Sequence, residues 1–198
     1  MGPVASAAHH GMVMRMPGIP IACPMTPKEW TEAWDWFMAH DDPLYVSEHR
    51  RGFGIDYEME PMLHAQPHIT LVGISAGRLN AMEAARALAA EGIKCDMIHL
   101  LWLKPFSITD IMTQSLAKSG LGLVIDSDYE IGGPSRSIAY DLMHATSQPV
   151  FALGLEDRTG GFAPHLDNPT PPMSKIVEKV KALLSRRQDV AVRSTATK

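Results

Sequence analysis

Short apolar segments alternate with amphipathic, helix-like stretches from residue 67 to residue 184. The first apolar segment, 69–72, is rich in β-branched residues and leads into the turn 73–77, after which apolar residues recur at helical spacing. Three later apolar segments have the same strand-like character and are separated by helix-like stretches: 94–100, 121–125 and 150–153. Because strands and helices alternate throughout, the pattern predicts a doubly wound, mainly parallel α/β sheet.

The first third of the chain contains a smaller unit of the same kind. Residues 19–23 are strand-like, Thr26 followed by Pro27 is typical of a helix start, and residues 44–46 form a second strand-like segment. A single βαβ unit of this size is too small to bury a core by itself. We therefore expect it to be part of a larger structure.

Three tryptophans, Trp30, Trp34 and Trp36, lie on the predicted helix of this unit. Two of them face one way and the third faces the other way, so packing against one core does not account for all three. We expect a partner to cover part of this surface, and the chain to form a homo- or hetero-oligomer.

These patterns divide the chain into four segments. We expect a partial domain over residues 1–54 and a linker over 55–67, where glycines, prolines and acidic residues occur without a sustained period. The α/β domain should cover 68–186 and fold alone. Residues 187–198 are polar and weakly basic, and we expect them to be disordered.

Composition narrows the possible partners. The chain is 45% hydrophobic and 20% charged with a formal net charge of −4, which is typical of globular proteins and does not favour nucleic acid. No apolar stretch approaches the roughly 18–20 residues that span a bilayer, so we expect no membrane partner and a cytoplasmic location. Cys23 and Cys95 have no zinc-type or C-x-x-C spacing, which indicates buried thiols.

Several polar groups could bind a ligand. The turn 73–77 could bind an anion through helix-start amides, but it does not complete G-x-G-x-x-G and a tight turn is favoured. Asp126, Asp128 and Glu130 follow the third strand, where open α/β sheets bind ligands. They could hold a cation, although an exposed acidic loop is the commoner outcome. His99, inside an apolar strand, is predicted to be a hydrogen-bonded core or interface residue.

Several segments together resemble one enzyme family. Residues 16–27, with Pro-Gly, an apolar strand and Thr-Pro, resemble part of its pyrimidine-binding domain, and 42–50 resemble the closing strand of that domain. Further matching segments are 98–105, Gly132-Gly133, 163–166 and the Pro-Pro-x-x-x-Ile-Val-x-x-Val ending. Their order and spacing are similar to the carboxy-terminal part of the E1 β subunit of thiamine-diphosphate-dependent 2-oxoacid dehydrogenases, such as pyruvate dehydrogenase, and more distantly to transketolase. The resemblance implies a transketolase C-terminal-like domain after a partial pyrimidine-binding segment.

The resemblance also implies a reaction and its cofactors. The reaction is oxidative decarboxylation of a 2-oxoacid such as pyruvate on thiamine diphosphate, followed by acyl transfer to the lipoyl group of an acyltransferase (E2) core. An α-type E1 subunit usually holds the diphosphate and magnesium through a Gly-Asp-Gly motif, which this sequence lacks. The glutamate that a β subunit usually contributes would precede Met1. We therefore expect thiamine diphosphate and magnesium to bind only at an interface with a partner chain, and no activity from this chain alone.

The position of a catalytic histidine in the family is occupied here by Ala5, within the segment 2–6. Alanine can neither transfer a proton nor form a side-chain hydrogen bond. His9 and His10 follow closely, and a shifted local register could bring one of them into the gap as a catalytic residue. The alternative is that both are exposed histidines near a chain end. The sequence assigns no residue of this chain to cofactor or metal binding.

Two functions remain open at this point. The chain is either a β-type E1 subunit that is active only with partner chains, or a non-catalytic assembly or regulatory subunit derived from that family. Ala5 and the missing part of the pyrimidine-binding domain favour the second function. A neighbouring chain containing Gly-Asp-Gly and a glutamate-bearing pyrimidine domain would favour the first, and the absence of any such partner would favour the second.

Overall fold

The computed structural model describes the backbone of residues 7–195 and the side chains of residues 7–189. Seven strands and six α-helices alternate along this part of the chain. The strands are β1 (Ile21–Ala22), β2 (Tyr45–Val46), β3 (Ile69–Ile74), β4 (Cys95–Leu100), β5 (Trp102–Lys104), β6 (Gly122–Tyr129) and β7 (Val150–Leu155). The helices are α1 (His10–Met14), α2 (Pro27–Ala39), α3 (Gly77–Ala90), α4 (Asp110–Ser119), α5 (Pro134–Thr146) and α6 (Met173–Thr195).

The larger sheet has four strands in the order β4-β3-β6-β7, and all its pairings are parallel. Successive strand residues point to opposite faces, so Leu71 packs beneath α3 and α6 whereas Val72 packs beneath α4 and α5. Both faces are therefore covered, and the strands are buried on both sides as their continuous apolar segments predict. The predicted fold class, a doubly wound parallel α/β sheet, is confirmed.

A smaller sheet forms beside it in the order β2-β1-β5. Strands β1 and β2 are parallel and flank α2, which is the βαβ unit predicted from the sequence. The antiparallel strand β5 was not predicted, because the apolar segment that ends at Leu100 continues without a turn signal. Leu103 of β5 points into the core and is 1% exposed. The N-terminal unit thus shares a sheet with a strand from the later part of the chain.

Helix α2 carries an exposed apolar surface. Thr26 begins the helix, and its side chain accepts a hydrogen bond from the backbone N–H of Glu29. Trp34 is 62% exposed and Met38 is 67% exposed, whereas Trp36 stacks on His40. The outward-facing aromatic surface predicted from the sequence is therefore present, and the partner that would cover it stays a prediction. No helix within residues 7–195 is long and apolar enough to cross a membrane.

The C-terminal end differs from the sequence-based expectation. Residues 187–198 were expected to be disordered, but α6 continues to Thr195. The Arg187 guanidinium donates a hydrogen bond to the carbonyl oxygen of Ser119, 2.5 Å away, and so connects the helix to the end of α4. A polar composition does not prevent a helix from continuing when its preceding turns are already packed.

The turn between β6 and α5 requires glycine at Gly133. A Cβ atom at this position would overlap the carbonyl oxygen of Tyr129, which is backbone and cannot move aside cheaply. We expect Gly133→Ala to lower the free energy of unfolding by about 1–3 kcal/mol through this overlap. Urea unfolding followed by circular dichroism measures the change. Gly54→Ala is the matched control because a Cβ there has no atom within 4 Å. Equal stability of the two variants would contradict the expectation.

Candidate functional site

A buried polar cluster surrounds His10, one of the two histidines suggested by the sequence. Nδ1 of His10 lies 2.9 Å from Ser47 Oγ and 3.7 Å from Cys23 Sγ. Its Nε2 lies 3.0 and 3.2 Å from the two carboxylate oxygens of Asp126 and 3.8 Å from Asp128 Oδ2. We call these five residues the His10 cluster. His10, Cys23 and Asp126 are all 0% exposed.

The members of the His10 cluster come from both sheets. Cys23 and Ser47 follow β1 and β2 directly, and the two aspartates lie in β6. Helix α1 brings His10 between them, and the backbone N–H of Gly11 donates to Asp128 Oδ2 at 2.7 Å. The ends of the small sheet and the third strand of the large sheet therefore meet at one imidazole ring.

Burial and charge act in opposite directions on the pKa of His10. Burial is the largest single effect and lowers the pKa, but the attractions and hydrogen bonds of Asp126 and Cys23 together outweigh it, so the pKa of His10 is raised well above its usual value. Burial also raises the pKa of Asp128, and this effect exceeds the opposing attraction of His10. The cluster therefore favours a protonated imidazole beside the Asp126 carboxylate.

The structure rules out the alternative that His9 and His10 are both exposed. His9 is exposed, but His10 is completely buried because Asp126 and Ser47 satisfy both of its ring nitrogens. Ala5, the position of the family histidine, lies outside the described residues. A catalytic role for His9 or His10 stays a prediction.

One further expectation is wrong. Asp126 and Asp128 were expected in an exposed acidic loop, but they lie inside β6 and are 0% and 5% exposed. The reason is that β6 extends four residues beyond the predicted end of the strand, to Tyr129. Of the three acidic residues, only Glu130 is partly exposed, and its carboxylate lies 2.9 Å from the guanidinium of Arg136.

His99 was predicted to be hydrogen bonded. Within the described residues, both ring nitrogens of His99 are buried and neither meets the geometry of a hydrogen bond, although a contact with the Glu60 backbone acts to raise its pKa. Burial, together with the nearby charge of Arg78, lowers the pKa of His99 to about 4, so the ring is neutral. A neutral ring is compatible with this site, because burying a charged one would cost far more free energy.

The geometry of the His10 cluster is that of a nucleophile, a base and a carboxylate. Either Ser47 or Cys23 could be the nucleophile beside His10, with Asp126 orienting the ring. However, Ser47 is only 6% exposed and Cys23 is 0% exposed, so a substrate cannot approach either atom in this arrangement. The cluster therefore serves to join the segments that meet there.

A second buried connection links the same two parts of the chain. Arg78, in the first turn of α3, is 0% exposed and its Nη1 lies 2.5 Å from Glu29 Oε1. Its Nη2 donates to the carbonyl oxygen of Cys23 at 3.0 Å. Sequence analysis missed this residue, because an arginine beside the turn 73–77 carries no signal that it will be buried.

The described residues do not form a magnesium site of their own. Among the side chains of residues 7–189, no three of His, Cys, Asp or Glu are grouped so that they could hold a metal ion. The two aspartates of β6 bind other groups instead: Asp126 pairs with His10, and Asp128 accepts from the backbone of Gly11 and Tyr129. This donor set does not fit the magnesium and diphosphate that the resemblance implies, and we assign no cofactor step to it.

Comparisons with known proteins give one family match. The model of the family described as "Transketolase, C-terminal domain" matches residues 61–168. The chain is 26% identical over 164 residues to the β subunit of acetoin:2,6-dichlorophenolindophenol oxidoreductase of Cupriavidus necator, covering 74% of this chain and 46% of the relative. It is 24% identical over 182 residues to the β subunit of the pyruvate dehydrogenase E1 component of Rickettsia felis, covering 84% and 56%.

A solved structure is similar over most of the chain. The structure described as "Split gene transketolase, inactive beta4 tetramer" superposes with a TM-score of 0.67 at 20% sequence identity, and the match covers 88% of this chain and 60% of that one. At this identity the likeness shows the fold. The chain spans about half the length of the curated relatives that it matches.

Proposed function

We propose that this chain, which belongs to the transketolase C-terminal domain family, is a β-type subunit of a thiamine-diphosphate-dependent enzyme. The proposed reaction is that of an E1 component: oxidative decarboxylation of a 2-oxoacid such as pyruvate, with acyl transfer to a lipoyl group. The proposed partners are an α-type E1 subunit and an acyltransferase (E2) core. The observation that carries the proposal is the family match over residues 61–168 together with relatives that are themselves named β subunits.

Dependence on a partner chain is part of the proposal. The described residues contain no group that could hold magnesium, and the sequence contains no Gly-Asp-Gly motif. We propose that thiamine diphosphate would bind at an interface to which an α-type chain contributes the diphosphate half, and that it would supply there the carbon nucleophile needed for decarboxylation. The similar split transketolase is described as an inactive tetramer of its β chain, which supports the same dependence here.

The domain organisation is also proposed on these grounds. We propose that residues 68–186 form the transketolase C-terminal-like domain, that 1–54 are a partial pyrimidine-binding segment and that 55–67 connect them. Strand β5 and the His10 cluster hold the two parts together. The exposed apolar side of α2 is the surface that we propose for subunit contact.

One observation favours a second function, a non-catalytic assembly or regulatory subunit of the same family. His10, one of the two histidines that could replace the missing family histidine, is fully buried and bonded to Asp126 and Ser47. Its ring is therefore engaged in joining the two sheets. A subunit that had lost catalysis could keep this connection, since it supports the fold and not a reaction.

Calorimetric titration separates the two functions. Thiamine diphosphate with magnesium is added to the purified chain, to an α-type partner containing Gly-Asp-Gly, and to the two chains together. A β-type subunit is expected to give binding that requires both chains. Reduction of an artificial electron acceptor by the mixture, with pyruvate as substrate, then measures E1 activity. Absence of binding in all three samples would contradict the E1 proposal and support the non-catalytic subunit.

A further inference from the structure

A cleft of about 520 Å3 lies between the N-terminal part of the chain, Ser127 near the carboxyl end of β6 and Asn80 in the first turn of α3, the helix that follows β3. The two strands are neighbours in the sheet order β4-β3-β6-β7, but the helices that follow them, α3 and α5, pack on opposite faces. The loops that lead from β3 to α3 and from β6 to α5 therefore run to opposite faces of the sheet. Open α/β sheets bind ligands in the crevice that forms between two such loops. The cleft is of the size that holds a small metabolite.

A buried hydroxyl in the cleft has no partner. Ser127 of β6 lines the cleft and is only 1% exposed, and its Oγ has no hydrogen-bond partner among the described residues. Buried polar atoms are nearly always hydrogen bonded, because an unpaired one costs stability. A ligand atom in the cleft would supply the missing partner.

Two arginines give the cleft its chemical preference. Arg50 and Arg51 lie side by side in a short 3-10 helix and both line the cleft. Nη1 of Arg51 donates to the uncharged side chain of Asn80 at 2.7 Å, a contact that positions the guanidinium without neutralising it. The planar fork of N–H donors on arginine matches the oxygens of phosphate and carboxylate groups.

The remaining ionisable side chains of the cleft limit where an anion can bind. Glu48 and Asp167 also line it and repel negative charge, so the anionic group must bind on the side of the arginines. His49 does not add positive charge, because burial and the nearby Arg51 lower its pKa. His9 lies at the exposed rim.

We propose that this cleft binds a small organic anion, with Arg50 and Arg51 holding its phosphate or carboxylate group and Ser127 Oγ hydrogen bonding to it. The site lies between the N-terminal segment and the large sheet, so an occupant would contact both parts. The proposal does not depend on the E1 reaction. It concerns this chain alone, in the absence of thiamine diphosphate.

Titration of the purified chain with glycerol 3-phosphate, inorganic phosphate, acetate and glycerol tests the site. Glycerol 3-phosphate is expected to bind and to raise the melting temperature, whereas glycerol, which lacks the anionic group, is expected to do neither. Binding of acetate but not of phosphate would restrict the anionic group to carboxylates. Absence of binding by all three anions up to millimolar concentrations, or equal binding by glycerol, would overturn the proposal.

Ser127→Ala separates ligand binding from folding. Since Ser127 Oγ has no partner among residues 7–189, we expect the variant to be at least as stable as the wild type but to bind the anion about tenfold more weakly. Ser135→Ala is the matched control, because Ser135 is also a fully buried serine whose hydroxyl has no partner within the described part of the chain, but it lies outside the cleft. Arg50→Gln should weaken binding at least as much. Unchanged affinity in both Ser127→Ala and Arg50→Gln would overturn the site.

Discussion

Arg78→Met is expected to lower the free energy of unfolding by about 3 kcal/mol or more, because it removes one partner of a buried ion pair. Arg78 is 0% exposed, and Glu29 opposite it is 18% exposed at its side chain. The substitution preserves much of the side-chain volume but leaves the Glu29 carboxylate without its cation. It also removes the hydrogen bond to the carbonyl oxygen of Cys23.

Urea unfolding of four proteins measures this effect: the wild type, Arg78→Met, Glu29→Gln and the double variant. The double variant should be less destabilised than the sum of the single ones, because each single change leaves a charge unpaired. Arg136→Met is the matched control, since Arg136 pairs with Glu130 at 2.9 Å but its side chain is 56% exposed. A surface pair contributes about 1 kcal/mol or less. Equal losses in Arg78→Met and Arg136→Met would contradict the structural role of the buried pair.

His10→Gln is expected to destabilise the chain by about 3 kcal/mol at pH 6 and to change how stability depends on pH. The Asp126 carboxylate would then be buried without a positive partner. Because the pKa of His10 is raised in the folded chain, its stabilising contribution is complete below about pH 6.5, the usual pKa of histidine, and is lost as the pH rises through the raised pKa.

Four side chains face the imidazole ring and contribute to the pKa of His10: those of Asp126, Asp128, Cys23 and Ser47. The raised pKa of Asp128 also makes the free energy of unfolding fall as the pH rises, but at more acidic pH, since protonation of that carboxyl favours the folded chain. Between pH 6 and 9, the wild type should therefore lose stability as the pH increases.

Melting temperatures from pH 6 to 9 check this prediction. The decline with increasing pH should be present in the wild type and strongly reduced in His10→Gln. His9→Gln is the matched control, because His9 is the exposed neighbour of His10 and should leave both stability and pH dependence unchanged. The same slope in the wild type and in His10→Gln would show that another group controls the pH dependence.

The resemblance found in the sequence is confirmed by the match to the transketolase C-terminal domain family. It depended on short segments in a fixed order, such as 98–105 and Gly132-Gly133. The structure gives a physical reason for one of them, since a side chain at Gly133 would overlap the Tyr129 carbonyl. A requirement of the backbone of this kind is local, so it is visible in the sequence.

Part of the candidate site could also be anticipated. The sequence drew attention to His10, Asp126 and Asp128 as separate candidates, but it did not bring them together. His10 and Asp126 are 116 residues apart in the chain, and no periodicity connects such distant polar residues. Both were expected at the surface, because a charged side chain is buried only when a partner is available and the partner is not visible locally.

The sequence by itself determined the alternation of strands and helices, the burial of the large sheet on both faces and the family. These properties follow from local apolar spacing and turn residues, which act over a few residues. Only the tertiary structure decided that β5 joins the small sheet, that Arg78 is buried against Glu29, and that His10 joins the two sheets. Each of these depends on polar groups that are far apart in the sequence and satisfy each other's hydrogen bonds or charges. Such pairs exist only after the chain has folded.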